Sequence, residues 1–173
     1  SRIVMGFRTA LNTLMPEYAS HRVFSELFGG DGMSRLFTNV RERLGICYSC
    51  SAVSEPYRGT MIVSSGISAE NYDSLKNAVI CELNEISSGV ISEEEFNIAK
   101  KRQISQLKQI CDSPNELEMW YLTKSVYGQY CEVDELISKI NEVEINDVVK
   151  AASLVKLDTV YFLEGTLKEA EFE

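Results

Sequence analysis

Phe28-Gly-Gly-Asp-Gly-Met-Ser-Arg-Leu-Phe-Thr-Asn-Val-Arg-Glu-Arg-Leu-Gly-Ile-Cys-Tyr48 carries the signals that decide the fold. Gly29, Gly30 and Gly32 form a glycine-rich turn that ends one helix. Ser34 stands where its hydroxyl can accept an orphan amide of the next helix. Leu36, Phe37 and Val40 give that helix, over 34–44, an apolar stripe. Gly45 occupies the usual post-helical position, and the chain leaves as a strand from Ile46. Arg35, Arg41 and Arg43 surround the helix.

The flanking sequence reads outward in order. Residues 2–8 alternate as a strand. Glu17 to Phe28 has Ala19, Val23, Phe24 and Leu27 at helical spacing, with Pro16 near its first turn. His21, the single histidine, reads as a surface or capping residue. The runs 46–54 and 58–67 flank Glu55-Pro56-Tyr57-Arg58-Gly59, which is hairpin chemistry. Ser68 to Ser88 is an amphipathic helix ended by Gly89. Ser92 with Glu95 is a capping box opening a helix to Ile110, and Glu93, Glu94 and Glu95 complement its dipole. Ser113-Pro114 starts another helix, which carries Leu117, Trp120, Tyr121 and Lys124 and stops at Gly128. Helices over 133–142 and 146–154 and a strand over 159–163 follow, then a polar tail from Lys168. Hairpin-joined strands with helices in separate blocks indicate an α+β fold: an antiparallel sheet of about four strands with helices packed on one face.

Composition excludes several classes. The chain has 173 residues, 45% hydrophobic and 25% charged, enough for a single domain spanning 1–173 with a real core. Its formal net charge of -9 opposes a nucleic-acid or anionic-membrane partner. No apolar run approaches the roughly 18 to 20 residues of a membrane-spanning helix. Cys47, Cys50, Cys81, Cys111 and Cys131 are odd in number and scattered. With no signal-peptide anatomy at Ser1 to Phe7, this points to a reducing cytoplasm. Cys47 and Cys50 form a C-x-x-C, but inside a strand the two side chains face opposite ways, which argues against zinc or redox chemistry. The Gly29-Gly30-Asp31-Gly32 loop joins two helices and lacks the Lys-Ser/Thr ending of a phosphate loop. Ser1-Arg2-Ile3 reads as a strand entered in mid-protein, the start of an excised domain or, alternatively, of a natural chain whose first residues were trimmed.

Leu27-Phe-Gly-Gly-x-x-x-Ser-Arg-Leu-Phe37 followed by Val40-Arg-Glu-Arg-x-Gly-Ile-x-Tyr48 resembles the second, C-terminal domain of the pitrilysin, insulysin and mitochondrial-processing-peptidase family of zinc metallopeptidases. Ile91-Ser-x-x-Glu-Phe-x-x-Ala-Lys100, Asp112-Ser-Pro114 and Glu142-Val-x-x-x-Asp147-Val fall in family order. The resemblance thus extends from about residue 2 to 165. Glu144 departs from it, standing where these proteins often carry Thr or Ser.

The resemblance implies two related halves that close around a peptide. Zinc sits in the N-terminal half, held by an H-x-x-E-H motif that this chain lacks. No metal ligand and no catalytic base is therefore expected here, and the chain alone should be an inactive, substrate-cleft part of a peptidase. By the same resemblance Arg41 and Tyr48 would reach into the cleft to bind the substrate backbone and help stabilise the oxyanion. Parity along the strand suggests something different: Tyr48 shares a face with Ile46, Cys50 and Ala52, a core face, while Arg41 could pair with Glu42 or Glu17. The implied partners are a peptide or unfolded polypeptide and the homologous N-terminal half or a partner subunit. Neither nucleic acid nor membrane is expected, and homo-oligomers are possible through the exposed apolar surface. The alternative within the family is a catalytically silent subunit that holds peptides or serves assembly.

Overall fold

The computed structural model describes residues 1–11, 13–128 and 130–165. In chain order it contains β1 (Arg2–Arg8), α1 (Tyr18–Ser25, continued by a wider turn over Glu26–Gly30), α2 (Leu36–Arg43), β2 (Ser49–Glu55), β3 (Thr60–Gly66), α3 (Tyr72–Ser87), α4 (Glu93–Asp112), α5 (Pro114–Val126), α6 (Val133–Glu142), α7 (Ile145–Ser153) and β4 (Lys156–Leu163). The fold is α+β as the pattern indicates. One four-stranded sheet runs in the order β2-β3-β1-β4, every neighbour antiparallel.

Strand alternation sorts the sheet into two unlike faces. Ile3, Met5 and Phe7 of β1, Met61, Val63 and Ser65 of β3, and Cys50 and Ala52 of β2 are buried. They meet Val23, Phe24 and Phe28 of α1, Leu36 and Val40 of α2, Leu75 and Val79 of α3, and Val148 and Ala152 of α7 in one core. Among the described residues the opposite face carries no helix. Across it, register places Val53, Ile62, Gly6 and Thr159 in one row and Ser51, Ser64, Val4 and Tyr161 in the next. Val53, Ile62 and Tyr161 are exposed there.

Two glycines earn their places. A side chain at Gly29 would put its Cβ 2.6 Å from Ala52 Cβ and 2.7 Å from the Ala52 backbone nitrogen, so only glycine lets α1 end this close to β2. Gly59, at φ +62, closes the β2–β3 hairpin in the left-handed region. Its carbonyl accepts the amide of Thr9 at 2.9 Å, tying the hairpin to the end of β1.

The structure departs from expectation at several points. Ser34 does not cap α2 through an accepted amide: its hydroxyl donates to the Asp31 carbonyl at 2.5 Å, and its own carbonyl accepts from Thr38. His21 is not on the surface. It is 1% exposed, and Nε2 lies 2.7 Å from the Ser54 hydroxyl. The last strand begins at Lys156, earlier than the β-branched run suggests, and α4 continues to Asp112. The polar tail from Lys168 lies outside the described residues.

Candidate functional site

The quoted segment is held at its start by a buried ion-pair node. Arg35, 7% exposed, donates from Nε to Glu95 Oε2 at 3.2 Å and from one terminal nitrogen to Glu95 Oε1 at 2.5 Å. It also donates to the Val90 carbonyl and to Glu85 at 3.4 Å, and lies 3.7 Å from Glu82. A guanidinium suits such a node because its donors form a rigid planar fork. Glu95 serves twice, since its Oε1 also accepts the Ser92 amide at 2.8 Å in the capping box of α4. Burial raises the pKa of Glu82, an effect that Asn39 and Arg35 oppose. The node locks the start of α2 to α3 and α4. The sequence showed Glu95 as a cap alone, and nothing local to Arg35 announced its partners.

At its other end α2 is wound more widely than an α-helix. The Leu44 amide bonds the Asn39 carbonyl at 3.0 Å, one residue further back than the α-helical acceptor. Gly45, at φ +64, then reverses the chain. Asn71 Nδ2 donates to the Ile46 carbonyl at 3.1 Å, and the Tyr48 amide donates to the Gly66 carbonyl at 2.8 Å.

This geometry brings Arg41 and Tyr48 together. Arg41 Nε donates to the Tyr48 carbonyl at 3.0 Å, and Nη1 to Glu42 at 3.1 Å. The guanidinium lies over the Phe37 ring at 4.5 Å. Among the described residues its Nη2 has no acceptor. Tyr48 is 73% exposed, with its hydroxyl 3.1 Å from that of Ser68. The core position that parity assigns to Tyr48 is not taken, because the chain bends there and regular pairing begins only at Ser49. The Tyr48 ring instead lies over Gly66, where an added methyl would be 4.0 Å from Cδ2. Gly66 pairs with Ser49 and Arg2, so the ring stands at the end of the helix-free sheet face.

The described residues do not fit a zinc centre. Among the described residues no three of His, Cys, Asp and Glu are placed to hold a metal ion together, the three carboxylates around Arg35 being turned to its guanidinium. The imidazole of His21 is enclosed against Ser54, and burial, followed by the Arg22 charge, lowers its pKa to about 4. All five cysteines are free. Burial pushes the Cys50 thiol up to about 12 and raises Cys47, conditions that disfavour the thiolate a metal or disulfide exchange needs.

Comparison with known proteins agrees with this architecture. The family model described as the peptidase M16 inactive domain matches residues 1–103, and the chain belongs to that family. A Bacillus subtilis protein named as a probable inactive metalloprotease is 27% identical over 95% of this chain and 39% of its own length. A Rickettsia bellii protein named an uncharacterized zinc protease is 21% identical over 88% of this chain and 38% of its length. The chain therefore spans about two fifths of these relatives. Among solved structures, a conserved protein from Enterococcus faecalis superposes with a TM-score of 0.88 at 30% identity, over 95% of this chain and 39% of that one. A peptidase M16 inactive domain from Pseudomonas fluorescens shares the fold with a TM-score of 0.74 at 18% identity, over 89% of this chain and 39% of that one.

Proposed function

We propose that this chain forms one wall of a peptide-binding cleft in a zinc-dependent M16 endopeptidase, the zinc and the water-activating base belonging to a homologous half or partner subunit. Arg41 and Tyr48 contact the extended substrate, and the chain has no peptidase activity alone. The observation that carries this reading is a guanidinium tied to the backbone carbonyl of Tyr48, whose ring is exposed at the margin of a helix-free sheet face. The rows of small and apolar side chains on that face suit an extended backbone lying across it. A guanidinium with a free terminal nitrogen can donate to a substrate carbonyl, and a phenol can donate to a developing oxyanion. The same proposal places the chain in the cytoplasm, where its free thiols stay reduced.

A second reading, a silent subunit that holds peptides without cutting them, is supported by the likeness to the Bacillus subtilis protein named as a probable inactive metalloprotease. Both readings require binding, so binding is the test. A labelled unstructured peptide is titrated into the wild type, Arg41→Ala and Tyr48→Phe. Arg41→Ala is expected to weaken binding by about tenfold or more, the worth of a hydrogen bond to a charged group. Equal affinity across the three proteins would refute the cleft. Peptide turnover by the complete two-half protein, lost on chelation, separates the enzyme from the silent subunit.

A further inference from the structure

The helical layer contains a second feature, which shares no residue with the Arg41–Tyr48 margin. A groove of about 860 Å³ opens between the segment leading into α1, the end of α5, α6 and the start of α7. Lys124 lines it while being only 2% exposed. Its ammonium lies 4.7 Å from the Trp120 ring, 5.2 Å from Tyr18 and 5.7 Å from Tyr57. These rings attract the charge but do not neutralise it. Among the described residues Lys124 has no hydrogen-bond acceptor and no carboxylate partner.

The other lysines of the groove are different: Lys139 is paired to Glu135 at 2.6 Å and Lys150 to Asp147 at 3.2 Å. A buried ammonium without an anion is costly, which is why such groups are paired almost everywhere. A second polar group of the groove also lacks a partner, and its oxygen is fully buried. Thr13 Oγ1 lines the groove and finds no partner among the described residues.

We propose that this groove binds the α-carboxylate of a short peptide or an amino acid, anchored on the Lys124 ammonium and the Thr13 hydroxyl. The rim selects the class of anion. Glu17 and Glu142 face the groove without a cationic partner among the described residues. With the chain's net charge of -9, they repel polyanions such as phosphates. A carboxylate that travels with an ammonium, as in a zwitterion, meets the inner lysine and the acidic rim together. The inference does not rest on the cleft proposed above, and either can fail without the other.

Trp120, the single tryptophan, reports on the site because its ring adjoins the ammonium. The intact chain is titrated with alanyl-leucine, its C-terminal amide, free leucine and inorganic phosphate while tryptophan fluorescence is followed. A saturable change is expected with alanyl-leucine, with leucine, or with both, their ratio separating peptide from amino acid. The amide is expected to bind about tenfold more weakly or worse, and phosphate to leave the signal unmoved. Lys124→Met keeps the apolar stem and is expected to lose the response by a similar factor. If that variant does not fold, Thr13→Val serves, with a severalfold loss expected. An amide that binds as well as the acid, phosphate that competes, no response to either carboxylate, or unchanged affinity in the variant overturns the proposal.

Discussion

Arg35 and Arg41 sit at opposite ends of the same short helix and have opposite surroundings. The Arg35 side chain is 9% exposed and is gripped by Glu95, Glu85, Glu82 and the Val90 carbonyl. The Arg41 side chain is 36% exposed, has one carboxylate neighbour that is itself exposed, and keeps a terminal nitrogen unengaged among the described residues. The first arginine is consumed by the fold. The second is positioned by the fold and left with spare donors. Charge alone does not separate a structural arginine from a functional one. The difference lies in how many donors remain after the protein has satisfied itself.

The largest expected effect tests the structural end of this comparison. Arg35→Ala removes the cation from three carboxylates, one of which, Glu82, has a side chain only 7% exposed. Breaking a buried pair by removing one partner costs about 3 to 5 kcal/mol. Urea unfolding should show a loss of that size, and Arg35→Lys should recover only part of it because an ammonium lacks the fork. A loss below about 1 kcal/mol would show that the node is no stronger than a surface pair and would erase the contrast with Arg41.

His21 offers a smaller effect with a defined pH window. Its pKa falls from 6.5 to about 4 on folding, chiefly because burial disfavours the charged ring. The unfolded chain therefore binds a proton that the folded chain refuses. This contribution is intact above pH 6.5 and is lost as pH falls toward 4, reaching about 3 kcal/mol. The wild type should lose stability more steeply than His21→Gln across that window. Parallel profiles would mean that the imidazole titrates as freely in the fold as in water.

The architecture was legible because it is written in local patterns. Alternation in 2–8, the Glu55-Pro56-Tyr57-Arg58-Gly59 turn and the Ser92 and Ser113 caps all act over a few residues, and each formed where expected. What stayed hidden depends on long-range placement. The side chain of His21 is buried because Ser54, on β2, comes to meet it. Arg35 finds Glu95 only after α3 and α4 have folded back over the start of α2. Tyr48 defeats the period-two rule because a bend precedes the strand, and parity counts only from the first paired residue. Lys124 looked like an ordinary member of an apolar helix until Tyr18 and Tyr57, from distant elements, closed over it.

The smallest expected effect bears on the functional end of the comparison. Arg41→Ala removes one exposed ion pair, one hydrogen bond to the Tyr48 carbonyl and the stacking on Phe37. Exposed pairs contribute about 1 kcal/mol at most, and the carbonyl left behind adjoins an exposed residue that water can reach. Urea unfolding of Arg41→Ala and Tyr48→Phe should therefore fall within about 1 kcal/mol of wild type, while peptide affinity falls as proposed. The two readouts must separate. If Arg41→Ala destabilises as strongly as Arg35→Ala, its hydrogen bond to Tyr48 is a structural clasp holding the bend, and both arginines belong to the scaffold. If stability and affinity are both untouched, the margin of the open face is a bystander. Only a stable protein with weakened binding keeps the distinction between a satisfied guanidinium and one with donors to spare.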